Sequence, residues 1–155
     1  MLKIYKPLLK DMWFREKMLS DSDTMSFNNA YGGTISFPIE RWEKWYKCWL
    51  EDNSGKYFYR YLINENSEFI GEIAYHLNDD NLYIADILIY SKFRNRGYGQ
   101  EGLNILCNCA ENNGVEILYD DIAIDNHNAY RLFIKCGFIE DYRTSEIVML
   151  KKHLK

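Results

Sequence analysis

Arg94-Asn95-Arg96-Gly97-Tyr98-Gly99 follows directly on the apolar run Leu82 to Tyr90, and a helical pattern follows it in turn. A strand that ends in a loop with two glycines spaced by one residue, and then opens a helix, aims several backbone N–H groups at one point. Such a point binds anions. Gly97 and Gly99 lack a Cβ and let a phosphate come close to the main chain, while Arg94 and Arg96 add permanent positive charge. The loop reads either as a phosphate cradle at the mouth of a helix or as a tight turn with solvated arginines. The surrounding chain decides between them.

Downstream of the loop, Tyr98, Leu103, Ile105, Leu106 and Ala110 predict a helix from Gly97 to about Asn113, with Gly114 as its C-terminal cap. Val115 to Ile124 then reads as a strand. A strand, helix and strand of this length form a right-handed βαβ unit, so segment 115–124 should run parallel to segment 82–90. Asn126 is a candidate N-cap for a short helix ending near Cys136-Gly137. Phe138 to Tyr142 and Glu146 to Lys151 close the chain as a strand pair.

Upstream, Tyr57 to Ile63, Glu68 to Leu77 and Leu82 to Tyr90 are joined by short polar turns and predict an antiparallel meander. Before it, Pro38 suits a first helical position, and Trp42, Trp45, Tyr46 and Trp49 recur at helical spacing as one aromatic stripe. The stripe packs the helix onto a sheet, and Trp42 and Trp45 are also candidates to wall a substrate pocket. Residues 24–37, with Asn28-Asn29 and Gly32-Gly33, lack periodicity and read as a loop of the kind that overlies a site. A short strand at Leu2 to Tyr5 and a helix from about Leu8 to Leu19 complete the chain.

The 155 residues predict a single domain over 1–155, a mixed, mostly antiparallel sheet of six to seven strands flanked by about four helices. A formal charge of -4 argues against the broad positive surface of a nucleic-acid binder and favours a cationic small molecule. No segment approaches the ~20 apolar residues of a membrane span, so a cytoplasmic protein is expected. Cys48, Cys107, Cys109 and Cys136 form no CxxC pair, and His76, His127 and His153 have no metal-site spacing, so no metal is expected.

The loop Arg94-x-x-Gly97-x-Gly99, followed by Asn126-x-x-Ala129-x-x-Leu132-Phe133-x-Lys135-x-Gly137-Phe138, resembles the GCN5-related N-acetyltransferase (GNAT) superfamily over roughly residues 68–142. The resemblance implies an acetyl-CoA-dependent N-acetyltransferase with strands 82–90 and 115–124 parallel and splayed. Residues 94–99 would hold the pyrophosphate, with Asn126, Ala129 and Phe133 beside it. The exposed strand edge at Ile87, Leu88 and Ile89 would pair with the pantetheine arm, and a backbone N–H near Ile89 would polarise the thioester carbonyl.

A neutral amine must attack, so a base is needed. Glu72, Asp86, Asp120 and Asp121 lie in the strands that meet here and are the candidate acceptor-binding acids. Asp86 interrupts an apolar strand, which is costly unless its charge is paired or used, and repulsion between it and Asp121 would raise one of their pKa values.

The chain is also similar to the aminoglycoside 6'-N-acetyltransferases, which carry an acid eight residues before the loop arginine, as Asp86 precedes Arg94, and another five before the asparagine, as Asp121 precedes Asn126. That likeness implies that Asp86 and Asp121 bind and deprotonate the amine. Two satisfied strand acids are the plain alternative. Many members have tyrosine where this chain has Phe133, and phenylalanine cannot protonate the leaving thiolate. Tyr130, one turn earlier, is the candidate replacement. The acceptor is expected to be the primary amine of a small cation, aminoglycoside- or polyamine-like, by direct transfer in a ternary complex. A protein N-terminal or lysine acetyltransferase and a non-catalytic acyl-CoA-binding module are the alternatives, and the protein could be a monomer or a homodimer.

Overall fold

A computed structural model describes all 155 residues, and seven strands form one sheet in it. In chain order these are β1 (Lys3–Tyr5), β2 (Tyr57–Ile63), β3 (Phe69–Leu77), β4 (Tyr83–Ile89), β5 (Ile117–Ala123), β6 (Ile139–Arg143) and β7 (Ile147–His153). Four α-helices flank them: α1 (Met12–Ser20), α2 (Ile39–Leu50), α3 (Tyr98–Asn112) and α4 (His127–Lys135). The sheet order is β1-β2-β3-β4-β5-β7-β6, with β7 inserted between β5 and β6.

Every strand pairing is antiparallel except β4 with β5. That parallel pairing spans only Tyr83 opposite Leu118 and Ile84 opposite Tyr119. Beyond Ile84 the two strands part, and the sheet opens as a V at its centre.

Apolar residues on both faces of β2 and β3 bury the sheet from two sides. Under α3 and α4 lies a core that includes Leu62, Ile73, Leu103, Leu106, Leu118 and Phe133. Under α1 and α2 lies a second core, with Met12, Phe14, Met18, Tyr59, Tyr61 and Leu88. Each fully buried side chain of this size contributes about 1.5–3 kcal/mol. Gly102 lets α3 sit close on the sheet, since a Cβ there would fall 2.7 Å from the Leu62 side chain.

Helix ends follow the sequence closely. α3 ends in an αL glycine, Gly114 at φ +88°, with the Val115 N–H bonded to the Ala110 carbonyl at 2.9 Å. α4 is capped by Asn126, whose side chain accepts from the Ala129 N–H at 3.3 Å. Pro38 departs from expectation: its ψ of 162° places it before α2 as the N-cap rather than inside the first turn. The segment read as a loop over 24–37 carries a 3-10 helix, Ser26–Tyr31, closed by Gly32 at φ +104°. Its lack of helical periodicity reflects three residues per turn and no buried residue.

Candidate active site

The V between β4 and β5 opens into a cleft of about 750 Å3. Asp86 to Ile89 form one wall, and Asp120 to Ala123 form the other. Residues 93–99 except Arg96 close one end, α4 contributes Asn128, Ala129, Leu132 and Phe133 beside Asn126, and Ser26, Phe27, Asn28 and Tyr31 overhang it.

The polar backbone of β4 faces this gap. The Tyr90 N–H donates to the Ile70 carbonyl at 2.9 Å. By antiparallel alternation in a continuous register, the N–H and C=O groups of Ile87 and Ile89 point away from β3 and into the V. The Ile89 carbonyl accepts from Arg94 Nε at 3.1 Å, which leaves the Ile87 groups and the Ile89 N–H as the free edge. At the loop, Asn95 and Gly97 have positive φ, +62° and +80°. Gly97 stands at the N-cap of α3 with no side-chain cap, so first-turn N–H groups remain available. A free strand edge leading to an uncapped helix N-terminus fits the pantetheine arm and pyrophosphate of coenzyme A.

The two arginines of the loop divide their work in a way that spacing does not reveal. Arg94 donates to the Ile89, Asp23 and Thr24 carbonyls at 3.1, 3.0 and 2.7 Å. Its guanidinium holds the chain at 21–24 against the end of β4, while the residue lines the loop end of the cleft where it was expected. Arg96 makes no ion pair and lies over the Phe93 ring at 5.7 Å, leaving its charge free at the loop. Ser91 Oγ also donates to Asp21 Oδ2 at 2.6 Å, and the Ser91 N–H to Thr24 Oγ1 at 3.0 Å. Hydrogen bonds from Ser91 and Thr24 hold the Asp21 carboxyl below its usual range. This clamp positions the Ser26–Tyr31 helix over the cleft.

The carboxylates sort by face. Asp86 shares its face of β4 with Leu88, on the α1/α2 side, and sits opposite Ala74. Asp86 is an exposed residue that lines the cleft, with protein packed close around its carboxyl. Burial, together with the charge of Glu72, pushes its pKa up to about 6 against the opposing pull of Arg15. Asp120 shares its face of β5 with Leu118 and Ile122, on the α3/α4 side. Burial first, then the charges of Asp86 and Asp121, push its pKa well above the ordinary value. Asp121 lies on the α1/α2 side, where its charge reaches His76. Asp86 of the expected pair is thus raised, with Glu72 as the neighbouring charge, and Asp120 is raised as well. None of the three carboxylates has a cationic partner.

Four candidates lie outside the cleft. Glu72, 3% exposed, accepts from Arg15 at 2.7 and 2.8 Å, one bond on each oxygen, and from the Tyr59 hydroxyl at 2.7 Å, so its carboxylate is engaged in a buried ion pair beneath the cleft wall. Trp45 covers that pair, with the Arg15 guanidinium 4.2 Å from its ring centroid. Trp42 donates to Glu16 and to the Phe37 carbonyl, away from the V. Tyr130 turns toward Arg143 of β6 and does not line the cleft. Phe133 does line it, and packs on Phe138 at 4.8 Å. The aromatic residues over the cleft are Phe27 and Tyr31, which sequence reading passed over because an irregular segment offers no periodicity to weigh.

A mixed sheet opened at its one parallel junction, with a free strand edge and an uncapped helix at the opening, defines an acyl-coenzyme A-dependent transferase. The family model "Acetyltransferase (GNAT) domain" matches residues 4–139, and the chain belongs to that family. It is an N-acetyltransferase whose acetyl donor is acetyl-CoA.

No curated protein matches the sequence. Among solved structures, spermidine N-acetyltransferase from Vibrio cholerae in complex with CoA and spermine is similar at TM-score 0.83 and 16% identity, covering 99% of this chain and 95% of that one. A GNAT-family acetyltransferase from Bacillus anthracis is similar at TM-score 0.75 and 18% identity, covering 99% and 95%. A Salmonella typhimurium protein solved with its cofactor acetyl-CoA is similar at TM-score 0.76 and 14% identity, covering 99% and 94%. At these identities the likeness is one of fold.

Proposed function

We propose that the protein acetylates a primary amine of a small cation, polyamine- or aminoglycoside-like, by direct transfer within a ternary complex. The observation that carries this reading is the convergence of Asp86, Asp120 and Asp121 on one cleft without a cation of their own. Like charges gathered in one cleft make a standing negative potential that an ammonium group relieves. The polyamine complex among the structural neighbours is in keeping with it.

Acetyl-CoA supplies a thioester carbonyl that an amine nitrogen can attack. Backbone groups of Ile87 and Ile89 align it along β4, the N–H groups opening α3 and the Arg96 charge hold its phosphates, and the Ile89 N–H stabilises charge on the carbonyl oxygen. Asp86 takes the ammonium proton, because a carboxyl with a pKa near 6 is ionised at neutral pH yet basic enough to accept one. Phe27 and Tyr31 cover the acceptor and supply ring faces to a cation.

The test is thiol release from acetyl-CoA with panels of polyamines, aminoglycosides and peptides. Small polyamines or aminoglycosides are the expected acceptors; turnover of peptides alone would favour a protein acetyltransferase, and tight coenzyme A binding with no turnover a binding module. Asp86→Asn should lower kcat/KM toward the best amine by about 100-fold or more.

A further inference from the structure

The cleft contains a base but no phenol where the thiolate must leave. Phe133, 2% exposed, occupies the α4 position that faces the gap, and its ring ends in carbon. Tyr98 stands at the first turn of α3, at the phosphate end, and Tyr31 overhangs the cleft from the Ser26–Tyr31 helix. Of the residues that form the two walls of the V, Asp120 is the titratable one on the α3/α4 face. It follows Tyr119, the last β5 residue paired to β4, and its side chain shares the face of Leu118 and Ile122.

We propose that Asp120 is the general acid that protonates the departing thiolate sulfur, in place of the absent tyrosine. The inference rests on the acetyl-transfer reading above. In the step, the acceptor nitrogen, its ammonium proton already on Asp86, bonds to the acetyl carbon. The C–S bond breaks, and the Asp120 carboxyl proton goes to sulfur, giving the free thiol. The remaining excess proton on nitrogen passes to the Asp120 carboxylate as the amide forms, which restores the acid. Protons balance over the cycle once Asp86 releases its own to solvent.

The surroundings of Asp120 suit a carboxyl that keeps its proton. The charges of Asp86, across the gap on the other face of the sheet, and of Asp121, next in sequence, both act on it, while Glu72 adds negative charge behind Asp86. Leu150 of β7 is its register partner, and Phe133 on α4 is apolar. Of the cations, Lys152, two residues beyond Leu150 on the same face of β7, donates to the Cys136 carbonyl at 2.8 Å, and Arg15 is bonded to Glu72 on the other side of the sheet. Two carboxyl groups whose environments differ in this way divide into acid and base.

Two measurements decide the matter. The first is a carbon-13 NMR titration of the aspartate carboxyls in the ligand-free protein, with the Asp120 resonance assigned by its loss in Asp120→Asn. Asp120 is expected to titrate at higher pH than Asp86; titration at or below Asp86 overturns the proposal whether or not any variant is active. The second compares kinetics in wild type, Asp120→Asn and Asp120→Glu, each checked for cooperative melting. Asp120→Asn should lower kcat by about tenfold or more with little change in the amine KM, and abolish the alkaline fall of kcat, while Asp120→Glu partly restores both. A raised KM with kcat retained would make Asp120 an ammonium ligand and overturn the acid role alone. If the wild type releases no thiol with any amine, the acetyl-transfer reading fails, and the acid role with it.

Discussion

Arg94 and Arg96 are two positions apart and carry the same charge, yet their losses should be felt in different quantities. Arg94 satisfies three main-chain carbonyls, so Arg94→Ala should destabilise the fold on the order of 2 kcal/mol, read by chemical denaturation. Arg96 has no ion pair, so Arg96→Ala should leave stability unchanged and weaken coenzyme A binding about fivefold, an effect that calorimetry should find shrinking as salt is added. Tyr130→Phe should leave turnover unchanged in the thiol-release assay, because the phenol faces Arg143 outside the cleft. These assignments were not available from spacing. Which arginine meets carbonyls, and which of two adjacent aspartates faces α4, depends on where the chain at 21–24 docks and on the face each β5 residue takes. Both are settled by contacts between segments distant in sequence.

At the scale of elements, β4 owes its path to β3. Gly71 opposes Ile89 in a pair that lacks mutual hydrogen bonds, where the backbones come closest, and a Cβ on Gly71 would sit 2.2 Å from the Leu88 carbonyl oxygen. Gly71→Ala must therefore push β4 toward the cleft. The expected result is a loss of about 1–3 kcal/mol on denaturation together with weaker coenzyme A binding, since Ile87 and Ile89 carry the free edge. The elements themselves were largely legible in the sequence. The meander, the strand-loop-helix at 82–112 and the parallel return at 117–123 rest on local signals: alternation, polar turns, paired glycines and the Asn126 cap. The Ser26–Tyr31 helix carried no such signal, and it brings the aromatic cover of the cleft. The aromatic stripe of α2 was visible, but Trp45 is taken up by the half-buried Arg15 on the α1/α2 side of the sheet.

For the whole molecule, carboxyls held above their ordinary pKa make stability fall as pH rises. Asp86 goes from an ordinary 3.8 to about 6 on folding, so the folded state binds the proton more tightly than the unfolded chain. Its contribution is most favourable below pH 3.8, is lost as pH rises from there through about 6, and stays lost above; Asp120 extends the same trend upward. In the ligand-free protein, the contribution of these groups to the melting temperature should decline across that window. The difference in Tm between wild type and Asp86→Asn, followed by calorimetry against pH, isolates it: the variant should gain on the wild type as pH increases. A bound polycation should narrow the gap.

The sheet is continuous through five antiparallel junctions and nearly interrupted at the sixth, where two residue pairs join β4 to β5. Much of the cohesion between the β1–β4 half and the β5–β7–β6 half comes from the core beneath α3 and α4. A pantetheine arm lying along the free edge of β4, as proposed, would fill the seam where a further stretch of strand pairing would otherwise run. The donor would then be a removable rung of the protein's own ladder, lost and restored as spent coenzyme is exchanged for fresh.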